Sequence, residues 1–118
     1  MGGGSVPNDA HEGSSAITLM GTIRIKPEYD EEFVALATAT PEMVRRNEPD
    51  TILYLTYRHP TDAHTYAFVE RYRDAAAWTA HIEAPYVRDA MAKLQNCVLE
   101  PPDTLRLTQI VFDIQRVG

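Results

Sequence analysis

A strand, a helix, a β-hairpin, a pair of helices and a final strand follow one another along this chain. That order predicts an α+β fold of ferredoxin-like βαββαβ topology, with an antiparallel sheet and helices on one face. Two further observations support it. The strand candidates are rich in β-branched residues and bounded by proline or polar turns, and the helix candidates carry apolar residues at i, i+3, i+4 and i+7. Several strands are apolar on both parities, which predicts that the open sheet face is covered as well. Two such sheets packed face to face make a dimeric α/β barrel, so the sequence predicts a homodimer.

Residues 1–15, MGGGSVPNDAHEGSS, have almost nothing apolar and are expected to form a disordered tail, leaving 16–118 as one domain. The run 16–25 places Ile17, Leu19, Gly21, Ile23 and Ile25 on one parity and stops at Lys26-Pro27, which predicts the first strand. Pro27 and the acids after it suit a helix N-terminus, and Phe33, Leu36, Ala37 and Thr40 share a face. Pro41 is expected to break or kink this helix, with Thr40 capping a fresh turn, although Met43, Val44 and Asn47 continue the face until Asn47-Glu48-Pro49-Asp50 ends it. Segments 51–58 and 64–72 form a hairpin across His59-Pro60-Thr61-Asp62-Ala63. Asp74 is placed to cap a short helix on which Trp78, His81 and Ile82 share a face, and Pro85 starts a second helix with Val87, Ala90, Met91 and Leu94 in register. After Pro101-Pro102, the segment 104–114 is the longest strand candidate.

The 118 residues include 11 basic and 17 acidic side chains, a net charge of −6, with no basic stripe. Nucleic acid and anionic membrane surfaces are therefore not expected as partners. A single cysteine, Cys97, and no long apolar run predict a cytoplasmic protein without disulfides. Every serine lies within the first fifteen residues and every glycine but Gly21 and Gly118 does too, which removes a serine nucleophile and a glycine-rich phosphate loop from the folded part. The histidines show no HxH or HExxH spacing, so no metal site is expected.

The strand FVERY, the turn RDAAAW, His81 three residues beyond Trp78, and PYVRDAM resemble the antibiotic biosynthesis monooxygenase (ABM) domain family, at positions Glu70, Tyr72, Asp74, His81 and Tyr86. The similarity extends over roughly 16–114. It implies a dimeric ferredoxin-like barrel and an oxidoreductase of the cofactor-independent monooxygenase kind, acting with O2 on a phenolic, anthrone-like or quinol small molecule. Isomerases, cyclases or lyases on the same fold, and a non-catalytic ligand-binding dimer, are the alternatives. The haem-degrading branch is disfavoured: no Asn occurs in 16–26, and Met91 stands near that branch's histidine. Tyr72 stands where many members carry Trp.

His81 is the candidate general base, since an imidazole suits proton abstraction near neutrality and a deprotonated phenol or activated carbon passes an electron to oxygen. The bland reading is a structural helix histidine. Glu70 lies on the parity of Tyr66, Phe68 and Tyr72, a carboxylate among aromatics suited to orient that imidazole, or else an ion-pair partner for Arg71, Arg73 or Arg88. Tyr54, Tyr66, Tyr72, Trp78 and Tyr86 are candidate walls of a flat aromatic pocket, and Arg88 a candidate anchor for a substrate oxyanion. A filled interior with Tyr66 packed on Trp78 would instead favour the non-catalytic dimer.

Overall fold

The computed structural model describes residues 15–110. Residues 1–14, nearly all of the expected tail, and 111–118 lie outside the described residues. The elements are β1 (Ile17–Arg24), α1 (Asp30–Asn47), β2 (Thr51–Arg58), β3 (Thr65–Tyr72), α2 (Ala75–Glu83), α3 (Pro85–Cys97) and β4 (Asp103–Leu107), with a 3-10 turn, Pro27–Tyr29, leading into α1. They build one antiparallel sheet in the order β2-β3-β1-β4 with the helices on one face. Among the described residues no helix is long and apolar enough to cross a membrane.

Strand parity decides what faces the helices. Ile17, Leu19, Gly21 and Ile23 of β1 stand opposite Tyr72, Glu70, Phe68 and Tyr66 of β3, and nearly all of this set is buried. Two packed clusters result. Ile23, Ile25, Phe33, Tyr66, Phe68 and Cys97 fill one end of the sheet–helix interface, while Ile17, Leu19, Tyr72 and Ala77, with Trp78 against them, fill the other.

Three details depart from the sequence expectation. Pro41 lies inside a single helix: Phe33 and Val44, buried on either side of it, hold one continuous face to the sheet, and the Thr40 hydroxyl donates to the Leu36 carbonyl (2.8 Å) rather than capping a new turn. On α2 the buried residues are Ala77 and His81, one turn apart, whereas Ile82 is 49 % exposed. Among the described residues the last strand is the five-residue β4, ending at Leu107, whereas the expectation carries it on through 108–110. Leu107 already stands opposite Thr18, one residue from the start of β1, so the ladder has no further partner, and Ile110 is 90 % exposed. Positions 111–114 of that expected strand lie outside the described residues.

The opposite sheet face carries Met20, Leu55, Tyr57, Leu105 and Leu107, all exposed. No part of the described chain folds back over this face.

Gly21 is the one glycine of the described domain, and its place is dictated by space. A Cβ there would lie 2.1 Å from the Asp103 carbonyl oxygen and 2.6 Å from the Phe68 ring. The backbone entering β4 therefore crosses where a side chain would stand. Gly21→Ala should destabilise the fold by about 3 kcal/mol, since overpacking against backbone has no cheap relief. Urea denaturation checks it, and an unchanged midpoint would show that β4 does not make this approach.

Candidate functional site

Between the two packed clusters lies a cavity of about 360 Å³. Phe33, Leu36, Ala37 and Thr40 of α1 line one side, Trp78, His81 and Ile82 of α2 another, and Val87, Met91 and Leu94 of α3 a third. Leu19, Tyr54, Phe68 and Glu70 supply the sheet side. The face of α1 identified from the sequence is thus a cavity wall.

His81 is set by its helix. The Asp74 carboxylate accepts from the Ala77 amide (2.8 Å) and fixes the start of α2, and one turn later His81 enters the interior at 6 % exposure. Its Nδ1 lies 2.8 and 3.0 Å from the two oxygens of Glu48, which is itself 9 % exposed. A carboxylate is an acceptor, so Nδ1 carries a proton and Nε2 is the ring nitrogen not engaged by Glu48. Glu48 is held in turn by the Thr51 hydroxyl, donating at 2.7 Å, and by the Tyr86 hydroxyl, donating to Oε2. The Tyr54 and Tyr72 rings pack against the imidazole with centroids at 5.3 and 5.2 Å.

Glu70 also faces the cavity, but its partner is the Tyr72 hydroxyl, which donates at 2.6 Å. Burial raises its carboxyl above the ordinary range, and the Tyr72 hydrogen bond and nearby His81 offset part of that. Burial likewise raises the Tyr54 and Tyr72 phenols, with the Glu70 charge adding to it, so both remain protonated donors. Tyr86 is raised by burial and by its bond to Glu48.

The structure places the sequence-predicted residues unevenly. His81, Glu70, Tyr54 and Trp78 come together at the cavity. Tyr72 is fully buried behind it and reaches it through Glu70. Glu70 is not the residue that orients His81, because Glu48 occupies Nδ1. Tyr66 does not line the cavity: it lies in the other packed cluster against Phe33 (4.5 Å), donates to Asp30 at 2.6 Å, and burial pushes its phenol up to about 12. Tyr86 lines a second cleft of about 250 Å³ beyond Glu48. Arg88 is exposed on α3 and is not among the residues that line the cavity.

Glu48 is the residue that sequence reasoning missed. Two of its three partners, His81 and Tyr86, are 33 and 38 residues away, so no local spacing marks its place in the site. The one local trace is Pro49, which disfavours helical backbone at the residue before it; Glu48 adopts φ −129°, ψ 80° as the helix ends.

A sequence profile of the antibiotic biosynthesis monooxygenase family matches residues 16–93. An uncharacterized Synechocystis protein, sll1783, is 30 % identical over 99 residues, covering 84 % of this chain and 67 % of that protein. YcnE of Bacillus subtilis, whose name proposes a monooxygenase, is 28 % identical over 90 residues, covering 76 % of this chain and 94 % of its own. A solved Bacteroides thetaiotaomicron structure, named for the same proposed activity, superposes with a TM-score of 0.81 at 20 % identity over 89 % of this chain and 99 % of that one, a likeness of fold.

The raised carboxyl of Glu70 has a consequence for stability. Because its folded value lies above the ordinary 4.5, ionisation is harder in the folded state, and the stability present at low pH is lost as pH rises through the raised value. Glu70→Gln should therefore match wild type near pH 4 and gain on it above that. The gain is about 1.4 kcal/mol for each pH unit separating the two values. Urea midpoints from pH 4 to 8 measure the difference, and a constant offset would contradict the burial argument.

Proposed function

The chain belongs to the antibiotic biosynthesis monooxygenase family, and from that premise we propose that it is a cofactor-independent monooxygenase acting with O2 on a phenolic, anthrone-like or quinol small molecule. The observation that carries the proposal is the buried His81–Glu48 pair opening onto an apolar cavity that also holds Glu70. Glu48 holds the ring with Nε2 basic, and His81 takes a proton from the substrate's activated carbon or hydroxyl. The resulting anion gives one electron to O2, and the radical and superoxide couple to a peroxide. Loss of water from that peroxide leaves a carbonyl where a CH2 stood, so that one oxygen atom enters the product and the other leaves as water. The proton held on His81, or that of the Glu70 carboxyl, is available to the departing oxygen. Tyr54 and Trp78 supply aromatic wall to the cavity.

An open cavity, with Tyr66 and Trp78 in separate clusters, supports this reading over a non-catalytic dimer with a filled interior. Enolisation by an isomerase would use the same base without oxygen uptake. We place the protein in the cytoplasm, in keeping with its single thiol, the buried free Cys97.

The proposal includes a homodimer joined through the open sheet face. Met20, Leu55, Tyr57, Leu105 and Leu107 give that face an apolar character that water does not favour. Light scattering at micromolar concentration should give twice the chain mass, and Leu105→Glu should shift it towards the single chain. A wild-type monomer would refute the dimer.

Oxygen consumption with a panel of anthrones and hydroquinones tests the activity. His81→Ala and His81→Asn should each lower turnover at least about a hundredfold. They should differ in stability. Alanine leaves Glu48 short of a buried partner, worth about 1–3 kcal/mol, whereas the Asn amide keeps a donor where Nδ1 stood. A substituted protein that retains its full rate would return His81 to a structural role.

A further inference from the structure

Across the cavity side of the sheet, one residue from each strand lies in a single row. Tyr54 of β2 pairs with Glu70 of β3, Glu70 with Leu19 of β1, and Leu19 with Arg106 of β4. Glu70 and Arg106 are two strand spacings apart, roughly 10 Å. Thr104, two residues before Arg106 on the same face, lines the cavity, and the Arg106 guanidinium carbon sits 5.8 Å from the centroid of the Trp78 ring that lines it too. Arg106 is therefore an exposed cation on the cavity side of the sheet, beside a residue of the cavity wall.

Its chemistry is unspent. Among the described residues no carboxylate lies within ion-pair distance of Arg106, whereas Arg24, Arg45, Arg46, Arg58 and Arg73 each have one. A guanidinium near an indole and without a carboxylate partner keeps N–H groups available, and that fork matches a carboxylate. At the other end of the row, the Glu70 carboxyl and His81 suit a hydroxyl or an activated C–H. The two ends thus set an orientation.

We propose that Arg106 is a specificity-determining residue, which selects ring ligands bearing a carboxylate at the end opposite their reacting hydroxyl and holds that carboxylate at the Trp78 rim. This rests on the cavity being the substrate site. The acid and hydroxyl lie at the two ends of an apolar body long enough to cross Leu19, a description that fits a bicyclic hydroxy acid.

Trp78 is the only tryptophan of the chain, so its fluorescence reports on the cavity directly. Under nitrogen, without turnover, the protein is titrated with 6-hydroxy-2-naphthoate and with its primary amide, and calorimetry checks each affinity. Wild type should bind the acid about tenfold more tightly than the amide, a difference of about 1.4 kcal/mol. Arg106→Gln should erase that preference while leaving amide binding in place, and Arg106→Lys should retain part of it. Equal affinities in wild type, binding of neither probe, or a preference that survives Arg106→Gln would overturn the proposal. An intact preference without oxygen uptake on any substrate would remove the monooxygenase reading and leave this one standing.

Discussion

The carboxylate of Glu48 ties together more of this molecule than any other side chain. It stands at the end of α1, receives the hydroxyl of Thr51 at the start of β2, the imidazole of His81 from α2 and the hydroxyl of Tyr86 from α3. A buried carboxylate is costly unless its oxygens are satisfied, and here three donors from three elements satisfy it. The geometry is self-selecting, because displacing any one of the elements leaves a charge in the interior with a missing partner. The same bonds that fix the packing also fix the imidazole. The base of the proposed reaction is thus oriented by the contact that locks the helices to the sheet, which is why an active-site variant at this position is also a stability variant.

The fold was legible because its signals are local. Asp74 followed by the α2 sequence, Pro85 at the start of α3, and the period-two runs of β1 and β3 each state their structure within a few residues, and each appears where expected. The site was legible only in part, because its bonds are not local. Parity correctly put Tyr66, Phe68, Glu70 and Tyr72 on one face of β3, but parity says nothing about position along the strand. Glu70 and Tyr72 reach the cavity or its back wall, while Tyr66, two turns of the pleat away, falls in the other cluster beside Asp30. Glu48 read as a helix stop because its sequence neighbours explain it that way; only the folded chain brings His81 and Tyr86 to it. The last strand failed for a related reason: apolar composition gives a strand its tendency, but β1 gives it its length.

Two carboxylates border the imidazole, and their surroundings divide the work between them. Glu48 is given three hydrogen-bond donors, which satisfy its buried oxygens. Glu70 has one, the Tyr72 hydroxyl, and faces an apolar cavity whose burial drives it towards its neutral form. In the proposed reaction one acid then orients the base, and the other is placed to supply a proton. Paired acids with divergent environments are a recurring way of running acid and base steps in one site. The tyrosines around them keep their protons and act as donors and walls.

The row that crosses the cavity floor depends in turn on a residue with no side chain. β4 is the edge strand, and its register against β1 puts Thr104 opposite Gly21 and Arg106 opposite Leu19. That register requires the Asp103 carbonyl to come within the volume a Cβ would occupy at Gly21. A larger residue would push the entry of β4 away from Phe68, and Arg106 would leave Trp78 with it. The spacing between the acid at Glu70 and the cation at Arg106 is therefore set by backbone approach at one glycine, and it is a property of the sheet before it is a property of any pocket side chain.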